Sequence, residues 1–309
     1  MRPAMASIAA ACLLSVAAAV GCGGSEGSEA SETVPGGGMT LEELWRQPGD
    51  DVAVVAGTAN HEPGEVRVSF LVVDGEGRVS LLPTARVWVA RELEAKPFLE
   101  STAKLERIGV PGGAEADATH LYVTHVRLPE PGTYWLLAEP EGGPKVQALG
   151  NVVVSADDPE PGPGDPAPAS ETPTLASVGG DASKITTRTP PDESLLEYSV
   201  AQSLQDKVAF VVTFSTPKYC SSRTCGPVVD VVEEVAERFE DDDVRFIHVE
   251  VYEDNDPAKG FNTWMREWGL ETEPWTFVVG SDGRIVERFE GAVSVLELEK
   301  AVEDLIAGG

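Results

Sequence analysis

Between Val52 and about Ser155, apolar residues come in short runs broken by turn sequences, and the runs are rich in β-branched and aromatic side chains. Val52–Ala56, Val66–Val73, Val79–Leu82, Arg86–Ala90, His120–Val126, Tyr134–Ala138 and Val146–Val154 read as strands. Glu62-Pro63-Gly64, Asp74-Gly75-Glu76-Gly77, Pro111-Gly112-Gly113 and Glu141-Gly142-Gly143 read as breaks between them. About seven short strands over about a hundred residues predict a two-sheet antiparallel sandwich, assigned to residues 40–156. A short helix over Thr40–Arg46 precedes it, because Leu41, Leu44 and Trp45 share one side.

The pattern then changes twice. Residues 157–183 contain Asp-Asp-Pro-Glu-Pro-Gly-Pro-Gly-Asp-Pro-Ala-Pro, which supports neither helix nor central strand and predicts an extended linker between two independently moving domains. From Lys184 strands and helices alternate. Ser194–Gln205 reads as a helix and Val208–Phe214 as an apolar strand. Val228, Val231, Val232, Val235, Ala236 and Phe239 mark one face of a helix over Pro227–Glu240, with Pro227 just inside its start. Val244–Val251 follows as a buried strand, then a helix whose face carries Phe261, Trp264, Met265 and Trp268. Trp275–Val279 and Ile285–Phe289 form a hairpin around Ser281-Asp282-Gly283, and Val295–Ile306 is a closing helix. The fold class expected is therefore multidomain, an all-β sandwich followed by an α/β unit over residues 184–309.

The first residues change the picture of where the chain works. Arg2 is followed by an uncharged apolar run from Ala4 to Val20, the form of an export signal. Ala19-Val20-Gly21-Cys22 resembles the cleavage motif of bacterial lipoproteins, which implies a signal over residues 1–22 and lipidation of Cys22. A plain secretory signal cut near Gly21 is the alternative. The Gly/Ser/Glu-rich stretch that follows fits a flexible tether, residues 23–39. The chain is then expected outside the cytoplasm, anchored to a bacterial membrane. Of four cysteines, only Cys220 and Cys225 would remain in the mature soluble part, and in an oxidising compartment they can pair.

Cys220 and Cys225 lie between the apolar strand and the helix that begins at Pro227, where a thiolate is electrostatically favoured. Strand, Cys…Cys-Gly-Pro, helix, and then Gly269-Leu270-Glu271-Thr272-Glu273-Pro274-Trp275-Thr276-Phe277 resemble the thioredoxin-like superfamily, over roughly Ser194 to Ile306. The resemblance implies Cys220 as exposed nucleophile, Cys225 as resolving thiol, and Pro274 as a cis-proline shaping the substrate groove. It implies thiol–disulfide exchange with exported proteins and an unidentified redox partner, without a cofactor. Three positions depart from the family pattern. Four residues separate the cysteines, Thr213 stands where an aspartate is common, and Glu273 replaces a neutral residue before the proline. A structural disulfide in a non-enzymatic binding module is the competing expectation. In the β-rich half, Leu128-Pro129-Glu130-Pro131-Gly132-Thr133-Tyr134 resembles the turn-plus-tyrosine entry of immunoglobulin-like folds.

A net charge of −29, from 52 acidic and 23 basic residues, argues against nucleic acid as a partner. Within the β-rich half, His120 and His125 fall on opposite sides of one strand, so with His61 they are read as polar surface rather than a metal site. His248, inside Val-Arg-Phe-Ile-His-Val-Glu-Val, is read as a packed, hydrogen-bonded residue; copper held by two cysteines and this histidine is the minor alternative. Glu253-Asp254-Asn255-Asp256-Pro257 lacks the glycine and distal glutamate of an EF-hand and reads as a solvated turn. No metal is assigned.

Overall fold

The computed structural model describes residues 38–111, 118–143, 146–156, 159–219 and 227–308. Export signal, Cys22, most of the tether, and the segment holding Cys220, Arg223 and Cys225 lie outside the described residues.

A short helix, α1 (Leu41–Trp45), begins with a capping box in which Thr40 and Glu43 bond each other's backbone N–H. Seven strands follow: β1 (Asp50–Ala56), β2 (Gly64–Val73), β3 (Thr84–Ala90), β4 (Leu99–Arg107), β5 (His120–Leu128), β6 (Gly132–Pro140) and β7 (Val146–Val154). They close into a barrel in the order β1-β2-β5-β4-β3-β6-β7, antiparallel except for a parallel ladder between β1 and β7. The strands form one continuous sheet rather than the two expected, because pairing of β3 with β4 and of β1 with β7 leaves no open edge. The open sandwich is thus corrected to a closed barrel.

Two strand assignments also change, for one reason. Val79–Leu82 forms only a single bridge, Val79 to Val73, and Leu81 is 61% exposed. The strand in question is β4, whose polar run Glu100, Ser101, Thr102, Lys104 and Glu106 carries no apolar signal because Ala103 alone is fully buried on it. Inside the barrel, Val66, Val68, Phe70 and Val72 alternate inward from β2 against Tyr122, Val126, Tyr134 and Leu136. The intervening Leu71 and Val73 point outward yet are also buried, with Leu121, Val123 and Ala292. Ala292 belongs to the C-terminal half, so the Leu71–Val73 end of β2 is buried on its outer face as well as its inner one. Tyr134 is fully buried, and its hydroxyl donates to the Glu130 carbonyl at 2.8 Å, the back-bond expected of its turn.

The C-terminal half runs α2 (Val200–Asp206), β8 (Ala209–Phe214), α3 (Val228–Arg238), β9 (Val244–Val249), α4 (Thr263–Glu267), β10 (Trp275–Val279), β11 (Ile285–Glu290) and α5 (Val295–Gly308). Its sheet has the order β11-β10-β8-β9, with β8 and β9 parallel and β10 and β11 antiparallel. This is the β-α-β then β-β-α arrangement expected from the sequence. Alternation sends Phe210, Val212 and Phe214 to a core with Trp268, Trp275 and Phe277. Val211 faces the other way, against Val228, Val231, Val232 and Val235 of α3 and Leu298 and Val302 of α5.

The proline-rich stretch is extended, as its composition dictates, but it is not a free spacer. Gly164 N–H donates to Ile285 O at 2.8 Å, Ile285 N–H to Asp165 O at 2.9 Å and Ala167 N–H to Gly283 O at 2.9 Å, which covers the outer edge of β11. Farther on, Trp264 and Trp268 donate their indole N–H groups to Glu171 O and Ser170 Oγ. The barrel and the α/β half accordingly fall, among the described residues, in one compact unit.

The two halves meet through buried charge and bare backbone. Arg67 of β2 contacts Glu297 of α5 at 2.5 and 2.8 Å and donates to Ala292 O, with both side chains about nine-tenths buried. Gly291 has φ +74°, and a Cβ there would lie 1.9 Å from the Gly57 carbonyl oxygen. Only a residue without a side chain fits that approach.

Candidate functional site

The site is built where β8 ends beside β10. Trp275 pairs with Phe214 in register, and the residue before it, Pro274, is buried and joined to Glu273 by a cis peptide bond. The cis-proline expected at this position is present. It stands next to the strand end from which Ser215–Tyr219 lead toward Cys220, while Pro227 and α3 receive the chain on the far side. Cys220 and Cys225 themselves lie outside the described residues, so the structure gives the frame of the pair and not its geometry.

That frame is tied down on both sides. Gly291 N–H donates to Pro274 O at 2.9 Å. Glu290, at the end of β11, accepts from the backbone N–H of Ala59 and Asn60 through one oxygen, at 2.6 Å each, and from Thr272 Oγ1 through the other. Thr272 Oγ1 in turn accepts from Trp275 Nε1 at 3.0 Å. The barrel loop at residues 58–60 therefore holds the loop that carries Pro274. Glu273 is half-buried, with its Oε2 closed off from solvent.

On the other side, the segment 186–188 grips the approach to the cysteines. Lys218 N–H donates to Thr187 Oγ1 at 3.1 Å, and Thr187 N–H donates to Glu250 Oε2 at 2.8 Å. His248, 3% exposed, lies between Ser215 O at 3.1 Å from Nε2 and Thr186 Oγ1 at 3.3 Å from Nδ1. A carbonyl can only accept, so Nε2 carries the proton and Nδ1 takes the threonine hydroxyl. Burial holds the imidazole below its ordinary proton affinity, with Glu250 pulling the other way. The histidine is packed and hydrogen-bonded, as expected, and both its nitrogens are occupied.

Thr213, where the sequence resemblance leads one to expect an aspartate, is fully buried and bonds Thr276 Oγ1 at 3.0 Å and Trp275 O at 3.2 Å. No carboxylate stands at that position. The acid that does sit at the foot of the site is Asp230, in the first turn of α3, where a helix N-terminus favours it. Arg188 binds it at 2.9 Å and also binds Glu233, so this guanidinium is engaged by two carboxylates. Sequence reasoning missed Thr187, Arg188 and Glu250. Glu250 had a signal: it follows His248 by two positions, so the two polar residues interrupt the same face of an apolar strand.

Elsewhere, His120 is half-buried and His125 exposed, while His61 is 5% exposed, a buried residue rather than the polar surface expected. Residues 253–259 fold as two 3₁₀ turns, with Lys259 bound to Asp254 at 2.7 Å. Among the described residues, no three His, Cys, Asp or Glu side chains are grouped to hold a metal ion, and no helix is long and apolar enough to cross a membrane.

No protein-family model and no curated protein matches the chain. Among the solved structures similar to it are two thiol–disulfide proteins or their homologues. One is a thiol:disulfide interchange protein of the thioredoxin family from Chlorobium tepidum TLS, at 16% identity and a TM-score of 0.31, covering 49% of this chain and 99% of that one. The other is a DsbF homologue from Corynebacterium diphtheriae, at 20% identity and a TM-score of 0.27, covering 33% and 76%.

Proposed function

We propose that this chain is an extracytoplasmic thiol–disulfide exchange protein of the thioredoxin-like kind, held at a bacterial membrane through Cys22 and presented on a seven-stranded β-barrel. The observation that carries the reading is cis-Pro274, buried beside the end of the strand that runs into Cys220. A cis-proline there offers an incoming extended polypeptide a backbone edge at the end of the strand that leads to Cys220. In the forward reaction the Cys220 thiolate attacks a client disulfide, forming a mixed disulfide and releasing one client thiolate. Cys225 then attacks Cys220, leaving the protein oxidised and the client reduced. An envelope dithiol partner must return the two electrons. Exported proteins are the clients, and no bound cofactor enters the exchange.

The structural-disulfide reading draws on the neutral network around Thr213, which supplies no proton acceptor at the family's position. Substitution separates the two. Under exchange, Cys220→Ser abolishes reduction of insulin at little cost in stability, and Cys225→Ser accumulates mixed disulfides with envelope proteins. Equal destabilisation by both, of at most about 2 to 3 kcal/mol for so short a loop, with no trapped species, would make the pair a staple. The anchor has its own test: Cys22→Ala moves the protein out of the membrane fraction, and a variant still membrane-bound removes the lipoprotein assignment.

A further inference from the structure

A recess of about 500 Å³ opens in the α/β half between residues 173–185, 250–255 and 262–264. Val178, Ile185, Tyr252 and Trp264 form apolar and aromatic walls, and Glu250 and Asn262 also line it. Glu250 is 3% exposed, and only one of its oxygens is used by the described residues: Oε2 accepts from Thr187 N–H, while Oε1 is buried with no hydrogen-bond partner. A carboxylate oxygen left in that state is costly unless a donor reaches it. The nearby cations are committed elsewhere. Arg188 binds Asp230 and Glu233, Lys259 binds Asp254, and Lys184, on the rim, reaches Asp181 and the Val178 carbonyl. Glu253 and Asp254 add negative charge at the mouth.

Position relates this recess to the dithiol. Tyr252 meets Tyr219 edge-on at 6.4 Å, and Tyr219 immediately precedes Cys220. Glu250 reaches the same loop by a second route, through Thr187 to Lys218. We propose that the recess receives a lysine or arginine side chain of the client polypeptide, close in sequence to the disulfide being exchanged, with Glu250 as its anion. The apolar stem lies along Val178 and Ile185, the aromatic faces of Tyr252 and Trp264 favour a cation, and the charged head meets the carboxylate. A chain of net charge −29 draws basic segments toward it in any case, and the recess turns that general attraction into a positional preference. This proposal rests on the exchange reading for its client and deepens it.

The experiment uses the full chain and two cysteine-free peptides of about eight residues that differ only in lysine against norleucine. Wild type should bind the lysine peptide at least about tenfold more tightly, as a charge-assisted contact implies, and lose that margin at high salt. Glu250→Gln should abolish the preference while leaving norleucine affinity unchanged. Val178→Phe, which fills the recess from a loop, should weaken lysine binding and guards against a folding defect in the first variant. Equal binding of both peptides by wild type, or a preference that survives both variants, overturns the proposal. Disulfide-bearing versions of the two peptides are then offered to the reduced protein. Discrimination in binding without reduction of either would retain the recess as a cation site and sink the exchange reading. Equal binding with equal reduction would do the reverse.

Discussion

At the scale of single residues, His248 shows how burial becomes pH dependence. Its imidazole is neutral in the folded protein because burial disfavours the charged form, against the pull of Glu250 and Asp192 and with the help of Arg188. The unfolded chain takes up that proton near pH 6.5. Below that value the unfolded state therefore binds more protons than the native one, and stability falls as pH falls; above it the contribution is fully present. His248→Gln keeps a donor for Ser215 O and cannot titrate, so melting temperature plotted against pH should decline less steeply on the acid side. Parallel acid limbs for wild type and variant would show that other groups set the slope. The same residue shows what a sequence can carry. An isolated histidine within an apolar strand can be read as packed, but its partners Ser215 and Thr186, 33 and 62 positions away, cannot.

At the scale of elements, legibility followed apolar pattern. Strand β2 and helix α3 were readable because each buries a regular set of large side chains, whereas β4 was silent because its one fully buried residue is an alanine. The closure of the barrel was equally silent, since a parallel ladder between the first and last strands leaves no local mark. Arg67 is a further case. From sequence it is an ordinary outward-facing residue of a strand; in the structure it is clamped between Glu297 and Ala292 O. Burial raises the proton affinity of Glu297, yet the charge and hydrogen bonds of Arg67 outweigh that and hold the carboxyl below its usual range. Arg67→Met should accordingly destabilise the protein by roughly 3 to 5 kcal/mol in urea unfolding, because it strands a buried carboxylate. Adding Glu297→Leu should restore much of the loss. A single-variant cost under about 1 kcal/mol would mean water reaches the pair.

At the scale of the whole molecule, the proline-rich stretch decides how many folding units there are. Composition spoke for a spacer, since prolines and glycines cannot pair as a central strand. What composition cannot convey is that an exposed sheet edge is waiting for such a segment, as β11 is for residues 164–167. With that edge covered, Arg67 buried in the junction and Glu290 spanning it, barrel and α/β layer should melt in one calorimetric transition. Proteases should cut residues 159–183 no faster than they unfold the chain. Two resolved transitions, or prompt release of two folded pieces, would restore the picture of separate modules.

Gly57 and Gly291 also bear on kinship. Their backbones touch where any side chain at 291 would collide, and the amide of Gly291 holds the carbonyl of Pro274. Surface residues can drift, and core residues can exchange volume with their neighbours, but this contact leaves no compensating substitution at position 291. A lineage that keeps the two halves docked must keep that glycine, and one that replaces it must have moved the halves apart. The pair is thus a compact marker for recognising distant chains built the same way, even where overall similarity has faded. It also warns against exchanging either half for that of another protein by joining them at the prolines alone.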